Sequence, residues 1–344
     1  MDVGQRHTAL LAGFIGNVVE WYDFALYGYM AGILSVLFFP ARDETASLIA
    51  TYGVFAAGFL MRPLGSAVFG WLGDTVGRSR TMLISVVLMA MPTLLLGCLP
   101  TYASIGVWAP VLLILIRLVQ GLSVGGEFSS SVTYLVETAA DDRRGLSGSF
   151  ANTGSMFGML LGSGVAAAVT SVLSNEVLLD WGWRAPFLFG GVVGAVSIVL
   201  RRRLPQSEHF ARHHRERTST SPLLQAFTTN RRQMIQAILF ASAYGVLFYI
   251  PLVYLPEWLH SQTSMSLDIA LQINTGATAL LLVLIPIAGW LGDRFIRRTH
   301  FIAGSMLTLL VAVTPLYAWL AGDGFWGAVA VQVVFVVLLA VPLG

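Results

Sequence analysis

A chain of 344 residues that is 56% apolar and only 11% charged cannot dress a water-facing surface, because a soluble domain carries about 25% charge. The net charge is only +2, and all 20 basic residues are arginine. No nucleic-acid partner is expected. The single cysteine, Cys98, excludes an intrachain disulfide and a two-cysteine redox motif.

The first apolar stretch, Thr8–Phe39, follows Arg6 but contains Glu20 and Asp23, and no small-residue cleavage site follows. It reads as a retained membrane helix rather than a signal peptide. A membrane helix needs roughly 20 mostly apolar residues. Nine further segments qualify: Leu48–Leu72, Thr81–Leu99, Trp108–Val136, Leu146–Leu173, Arg184–Leu200, Gln233–Trp258, Leu267–Gly292, Phe301–Ala321 and Phe325–Gly344. In the first span Asn17, Glu20, Asp23, Phe24 and Tyr27 share one face at about 100° per residue. A charge at mid-bilayer costs about 2.5–3.5 kcal/mol. Glu20 and Asp23, one turn apart, are therefore candidates for holding a proton; the alternative is that they only pair with arginines and tie helices together.

The second span carries Arg62 before Pro63. Its guanidinium fork matches a carboxylate, either of a substrate or of Glu20 or Asp23. The span ends in Gly70-Trp71-Leu72-Gly73-Asp74, followed by Gly77, Arg78 and Arg80. The same pentapeptide returns at Gly289 to Asp293, before Arg294, Arg297 and Arg298. A repeat in matching context predicts an internally duplicated membrane protein. Gly77 suits a turn needing positive φ, Asp74 can cap a helix, and Arg78 can reach Glu137 at the end of the fourth span. Gly70, Asp74, Gly77, Arg78 and Glu137, with Asp293 and Arg297 in the second copy, form a candidate cytoplasmic latch.

In the fourth span Arg117, Gln120, Val124 and Glu127 trace one stripe. The buried base and acid are candidates for exchanging partners, and Gly121, Gly125 and Gly126 allow close helix approach. Gly154, Gly158 and Gly162 in the fifth span read as a packing face. The polar stretch 201–232 divides a six-span half (1–200) from a four-span remainder (233–344). Its His209, His213 and His214 sit among arginines that would repel a metal ion, so no metal site is expected. Tyr249 and Asn274 are polar groups of the second half available to line a cavity. The chain ends in apolar sequence at Gly344, which reads as a bundle incomplete by two spans.

All the arginines except Arg42, Arg184, Arg62 and Arg117 fall on one set of loops or at the N-terminus. That asymmetry places the N-terminus and those loops in the cytoplasm.

The loop Gly70-x-Leu72-x-Asp74-x-x-Gly77-Arg78 and the pattern Arg117-x-x-Gln120-Gly121 resemble the major facilitator superfamily. Gly16-Asn17-Val18-Val19-Glu20-Trp21-Tyr22-Asp23-Phe24, Arg62-Pro63-Leu64-Gly65, Gln120 through Glu127 and Asp180-Trp181-Gly182-Trp183-Arg184-Ala185-Pro186-Phe187 are similar to the metabolite:proton symporter family, whose members include the α-ketoglutarate, citrate, shikimate and proline/betaine permeases. The resemblance implies an all-α major facilitator fold of twelve spans, of which ten are present, and alternating access in a bacterial inner membrane. It also implies contact between Asp74 and an eleventh span, which this sequence does not contain, and in the second loop Ile296 stands where the pattern has glycine. The expected activity is symport of a small carboxylate with protons, driven by the proton gradient without a cofactor, by a monomer that is not an enzyme. Glu20, Asp23, Arg117 and Glu127 would couple protons. Arg62, Tyr27, Asn17, Gln120, Tyr249 and Asn274 would contact substrate. A zwitterion such as proline or betaine is the alternative cargo, and a non-transporting fragment the alternative function.

Overall fold

The computed structural model describes residues 3–40, 43–202, 204, 228–295, 297–320 and 324–344. His209, His213, His214, Arg212, Arg215, Arg217 and Ile296 lie outside the described residues. The elements in chain order are α1 (Val3–Tyr29), α2 (Ala31–Phe38), α3 (Glu44–Thr75), α4 (Arg78–Cys98), a short α5 (Tyr102–Ile105), α6 (Trp108–Thr138), α7 (Arg144–Val172), a short α8 (Asn175–Val177) and α9 (Arg184–Arg201). They continue as α10 (Arg231–Tyr249), α11 (Leu255–Gln262), α12 (Leu267–Arg294), α13 (Arg298–Leu320) and α14 (Phe325–Leu343). Ten helical segments are long and apolar enough to cross a membrane, and no strand occurs among the described residues. Leu60, Val172 and Trp326 are each about four-fifths exposed. Backbone that closes its own hydrogen bonds and turns such side chains outward suits a lipid solvent.

Two of the expected single spans are interrupted. The first divides at Met30, between Gly28 and Gly32, which weaken a helix. The seventh opens into a π-helical turn, Ile250–Tyr254, between α10 and α11. Pro251 lacks the N–H that would continue the ladder, and Pro256 follows within two turns.

The chain clusters into two compact units. One holds Met1–Thr138 and Phe157–Thr218, the other Ala139–Met156 and Ser219–Gly344, so the division does not follow linear order. In the first unit α3 and α6 touch backbone to backbone. A Cβ on Gly121 would overlap the Gly58 carbonyl, and one on Gly125 the Arg62 carbonyl. Ser66 Oγ donates to the Gly125 carbonyl at 2.7 Å, which pins this crossing. Gly158 and Gly162 of α7 similarly admit the α1 backbone at Val18 and Tyr22. Tyr22 is buried and its hydroxyl donates to the Pro186 carbonyl at 2.6 Å, tying α1 to α9. With these glycines α1 is held from several sides, and its polar face is turned into the unit.

In the second unit Leu309, Phe335 and Leu255 share a core with Ala270 and Val331. Asn274 Nδ2 donates to the Leu252 carbonyl at 3.0 Å. Gln332 Nε2 donates to the Pro251 carbonyl and to Asn274 Oδ1, both at 2.9 Å. The two amides thus serve carbonyls of the π-helical turn.

Candidate functional site

The α1 face carries Glu20, Asp23 and Tyr27 into the first unit, where all three are buried. Asp23 is the best-served group. It accepts from Arg117 Nη1 at 2.5 Å, from Gln120 Nε2 at 3.0 Å and from Thr93 Oγ1 at 2.8 Å. Arg117 and Gln120 lie one turn apart on α6, and Thr93 projects from α4 beside Pro92. Three helices therefore converge on one carboxylate.

Arg117 is only 5% exposed. Its guanidinium lies 3.8 Å over the Tyr27 ring, and its Nε and Nη2 have no hydrogen-bond partner. Gln120 turns Nε2 to the acidic oxygen, which leaves its Oε1 unpartnered as well. Unmet donors in a low-dielectric interior are costly. Arg117 and Gln120 both line a cavity.

That cavity is lined by Asp23, Arg62, Arg117 and Gln120, with Phe24, Phe55 and Phe59 as its aromatic wall. The three rings pack on one another with centroids 4.7 to 5.3 Å apart. Arg62 stands 4.0 Å above Phe59 and 5.3 Å from Phe24, in cation–π range. The free space is about 30 Å³, room for a water or two rather than an organic acid. A ligand of that size needs the lining to move apart.

Glu127 occupies a different network. It pairs with Arg201 through both carboxylate oxygens, with Arg201 Nη1 at 2.7 Å from Oε2, and it accepts from Ser85 Oγ. The stripe from Arg117 to Glu127 is buried as its spacing predicts, but its two charged ends hold separate partners. Arg117 takes Asp23 and Glu127 takes Arg201. Glu20 stands between these networks. One of its carboxylate oxygens, Oε2, has no hydrogen-bond partner, and the charges acting on it are Arg62, Glu127 and Arg201.

Of the remaining sequence candidates, only Tyr27 adjoins the cavity residues. Asn17 donates to the Gly13 carbonyl and to Ser131 Oγ, both at 2.8 Å, fastening α1 to α6 away from the cavity. Tyr27 donates to the Thr51 carbonyl at 3.1 Å and stacks on Phe55. Tyr249 is substantially exposed and packs edge-on against Phe248. Asn274 is committed to the π-helical turn. A second cavity, about 260 Å³, lies between α12 and α14 and is lined by Gln272, Gly276, Phe325 and Gln332.

The two repeated loops use the same parts at different offsets. In the first, Gly77 has φ +104° and opens α4. Arg78, the first residue of α4, bonds Asp74 at 2.9 Å. In the second, Arg298 bonds Asp293, and Arg298 is the first residue of α13. Alignment of the repeats selects Arg297, but the ion pair with Asp293 is made by Arg298. What is preserved is the arginine's place at the head of the following helix. Asp293 also accepts the Gly145 and Leu146 amides, each at 2.8 Å, and so caps α7. Gly70 has open space beside it.

Phe55, Phe59, Ser85, Thr93 and Arg201 escaped the sequence reading. Phe55, Phe59 and Arg62 recur at i, i+4 and i+7, a stripe that periodicity can find. Arg201 heads the run Arg201-Arg202-Arg203, and nothing in that run distinguishes the buried member.

The family model for the Major Facilitator Superfamily matches residues 13–343. The chain is 38% identical over 318 residues to the alpha-ketoglutarate permease of Escherichia coli (strain K12), which covers 92% of this chain and 73% of that protein. It is 35% identical over 323 residues to the proline/betaine transporter of Salmonella typhimurium, covering 91% of this chain and 65% of that one. The citrate-proton symporter of Klebsiella pneumoniae is 35% identical over 314 residues, or 90% and 69% of the two chains. This chain thus spans about two thirds to three quarters of these relatives. Its fold matches the proton:xylose symporter XylE bound to 6-bromo-6-deoxy-D-glucose at a TM-score of 0.78 and 19% identity, over 99% of this chain and 80% of that one. The chain belongs to the Major Facilitator Superfamily.

Proposed function

We propose that this protein is a secondary active transporter that imports a small carboxylate with protons by alternating access, with its N-terminus in the cytoplasm. The carrying observation is the buried Asp23–Arg117 pair, which lines the cavity together with Arg62 and in which Arg117 Nε and Nη2 are unpartnered. Breaking a buried ion pair leaves an uncompensated charge, which is expensive. A proton on Asp23 removes the counter-charge of Arg117, and an incoming carboxylate restores it. Each event makes the other favourable, which is the requirement for symport. Arg62 then takes the substrate's carboxylate on approach, and Glu20, with its unpartnered oxygen, is a second proton station.

Relatives named for α-ketoglutarate and citrate favour an organic acid. The wall of Phe24, Phe55 and Phe59 supports a second cargo, a zwitterion whose cationic group would lie against the rings, and relatives named for proline and betaine agree with it. The test is uptake by proteoliposomes carrying this chain. Labelled α-ketoglutarate, citrate, proline and betaine are offered with and without an inward proton gradient. Gradient-driven accumulation of one of the acids is expected. Accumulation of proline or betaine alone selects the second reading, and uptake indifferent to a protonophore overturns coupling.

A further inference from the structure

Arg201 is 1% exposed, although its position in the sequence places it at the start of the basic linker. All five of its N–H donors are engaged. Nε donates to the Ala12 carbonyl at 3.2 Å, and Nη2 donates to the same carbonyl at 3.1 Å and to Glu127 Oε1. Nη1 donates to the Met82 carbonyl at 2.6 Å and to Glu127 Oε2 at 2.7 Å. A guanidinium has five donors and no more, so this one is saturated, and four helices (α1, α4, α6 and α9) meet on it. Arg117 is the opposite case, with Nε and Nη2 unused.

The available space gives a second, independent sign. A Cβ on Gly16 would overlap both Arg201 Nη2 and Glu127 Oε1, so the pair sits in a notch that only glycine leaves. Gly16, Glu20 and Asp23 fall within roughly 60° of one another around α1 at 100° per residue. The notch and the two carboxyl groups thus share a face, one turn apart each. The groups that face Glu127 are Arg201 from α9, Ser85 from α4 and Glu20 from α1. Glu20, when charged, repels it. Loss of the Arg201 bonds would therefore strand Glu127 beside a like charge.

The geometry points to Arg201 as a positioning residue: with Glu127 it forms a permanent clamp, seated in the Gly16 notch, that fixes the height and rotation of the α1 turns bearing Glu20 and Asp23. The Asp23–Arg117 pair is the one that opens. The functional consequence of the clamp rests on the transport reading of the cavity.

Two readouts on the full chain in lipid nanodiscs or proteoliposomes test this: amide hydrogen exchange of residues 12–23, and the external-pH profile of uptake of labelled α-ketoglutarate, citrate and proline. Arg201→Gln, Glu127→Gln and Gly16→Leu are each expected to speed exchange over 12–23 by about tenfold or more, with α12 to α14 unchanged. Arg201→Lys is expected to fall between, since an ammonium has three donors and no planar fork. It also keeps the test open should the glutamine variant fail to fold. Residual uptake in Glu127→Gln is expected to keep the wild-type pH midpoint. A Glu127→Gln protein with wild-type exchange and a displaced midpoint makes Glu127 a titrating member and overturns the clamp, as does wild-type exchange in Arg201→Gln or Arg201→Lys. The exchange readout needs no substrate, so absence of uptake for every probe counts against the transport reading while exchange still decides the clamp.

Discussion

Two buried arginines in one unit differ in how many of their donors are used. Arg201 has none left over, while Arg117, which lines a cavity, has Nε and Nη2 unpartnered. A saturated guanidinium resists displacement, and an unsaturated one can take a ligand. Replacing Arg117 with alanine strands the Asp23 carboxylate and is expected to cost about 3–5 kcal/mol. Thermal melting in detergent is expected to show part of that loss recovered in the double variant Asp23→Asn with Arg117→Ala. A double variant less stable than Arg117→Ala alone would mean that Asp23 is held chiefly by Thr93 and Gln120. Glu20, Asp23, Arg62, Arg117 and Glu127 were legible in the sequence because charge inside an apolar run is conspicuous. Their pairing was not. Periodicity orders residues along one helix, but says nothing about which helix lies opposite, and so it missed Arg201 as the partner of Glu127.

At the scale of elements, glycines decide which helices meet. The α3–α6 crossing places the Gly125 and Gly121 Cα positions against carbonyls of α3. Backbone there cannot give way as a side chain can. Gly125→Leu is expected to destabilise the first unit by about 1–3 kcal/mol, more if α3 separates, whereas Gly70→Ala, with open space beside Gly70, is expected to melt like wild type. Equal melting of the two variants would contradict the crossing. The loop aspartates act at helix ends. Asp293→Ala removes the acceptor of two α7 amides and is expected to cost about 0.5–2 kcal/mol, seen as faster exchange at Gly145 and Leu146. Unchanged exchange at both amides would remove Asp293 from the cap. Span number and type were readable from the length and apolarity of each run. The breaks at Met30 and Ile250–Tyr254 were harder, because glycine and proline are tolerated within membrane helices and only the surrounding amides show where the backbone has opened.

At the scale of the whole molecule, the repeated pentapeptide is matched by repeated geometry. Each copy places an aspartate in the last turn of a long helix and an arginine at the head of the next. The duplication was legible because the loop chemistry is confined to a few adjacent residues. The assignment of Ala139–Met156 to the second compact unit was not, since compactness depends on neighbours far away in sequence. The composition, ten candidate spans and family membership together describe a multi-pass membrane protein of a transporter superfamily. The distribution of arginines predicts a cytoplasmic N-terminus. In a Cys98→Ser background, which removes the exposed native thiol, a cysteine introduced near residue 5 is expected to react with a membrane-impermeant maleimide only after the cells are opened. Labelling of intact cells would reverse the topology.

The central claim is that the Asp23–Arg117 pair exchanges its internal charge for a proton and a substrate carboxylate. It is tested most directly by proton influx measured with a pH-sensitive dye inside proteoliposomes on addition of external α-ketoglutarate or citrate. The account predicts substrate-dependent acidification by the wild-type chain. It predicts a much smaller signal from Asp23→Asn, left to Glu20 alone, while that variant should still exchange labelled acid for unlabelled acid across the membrane. Acidification by Asp23→Asn at the wild-type rate would contradict it.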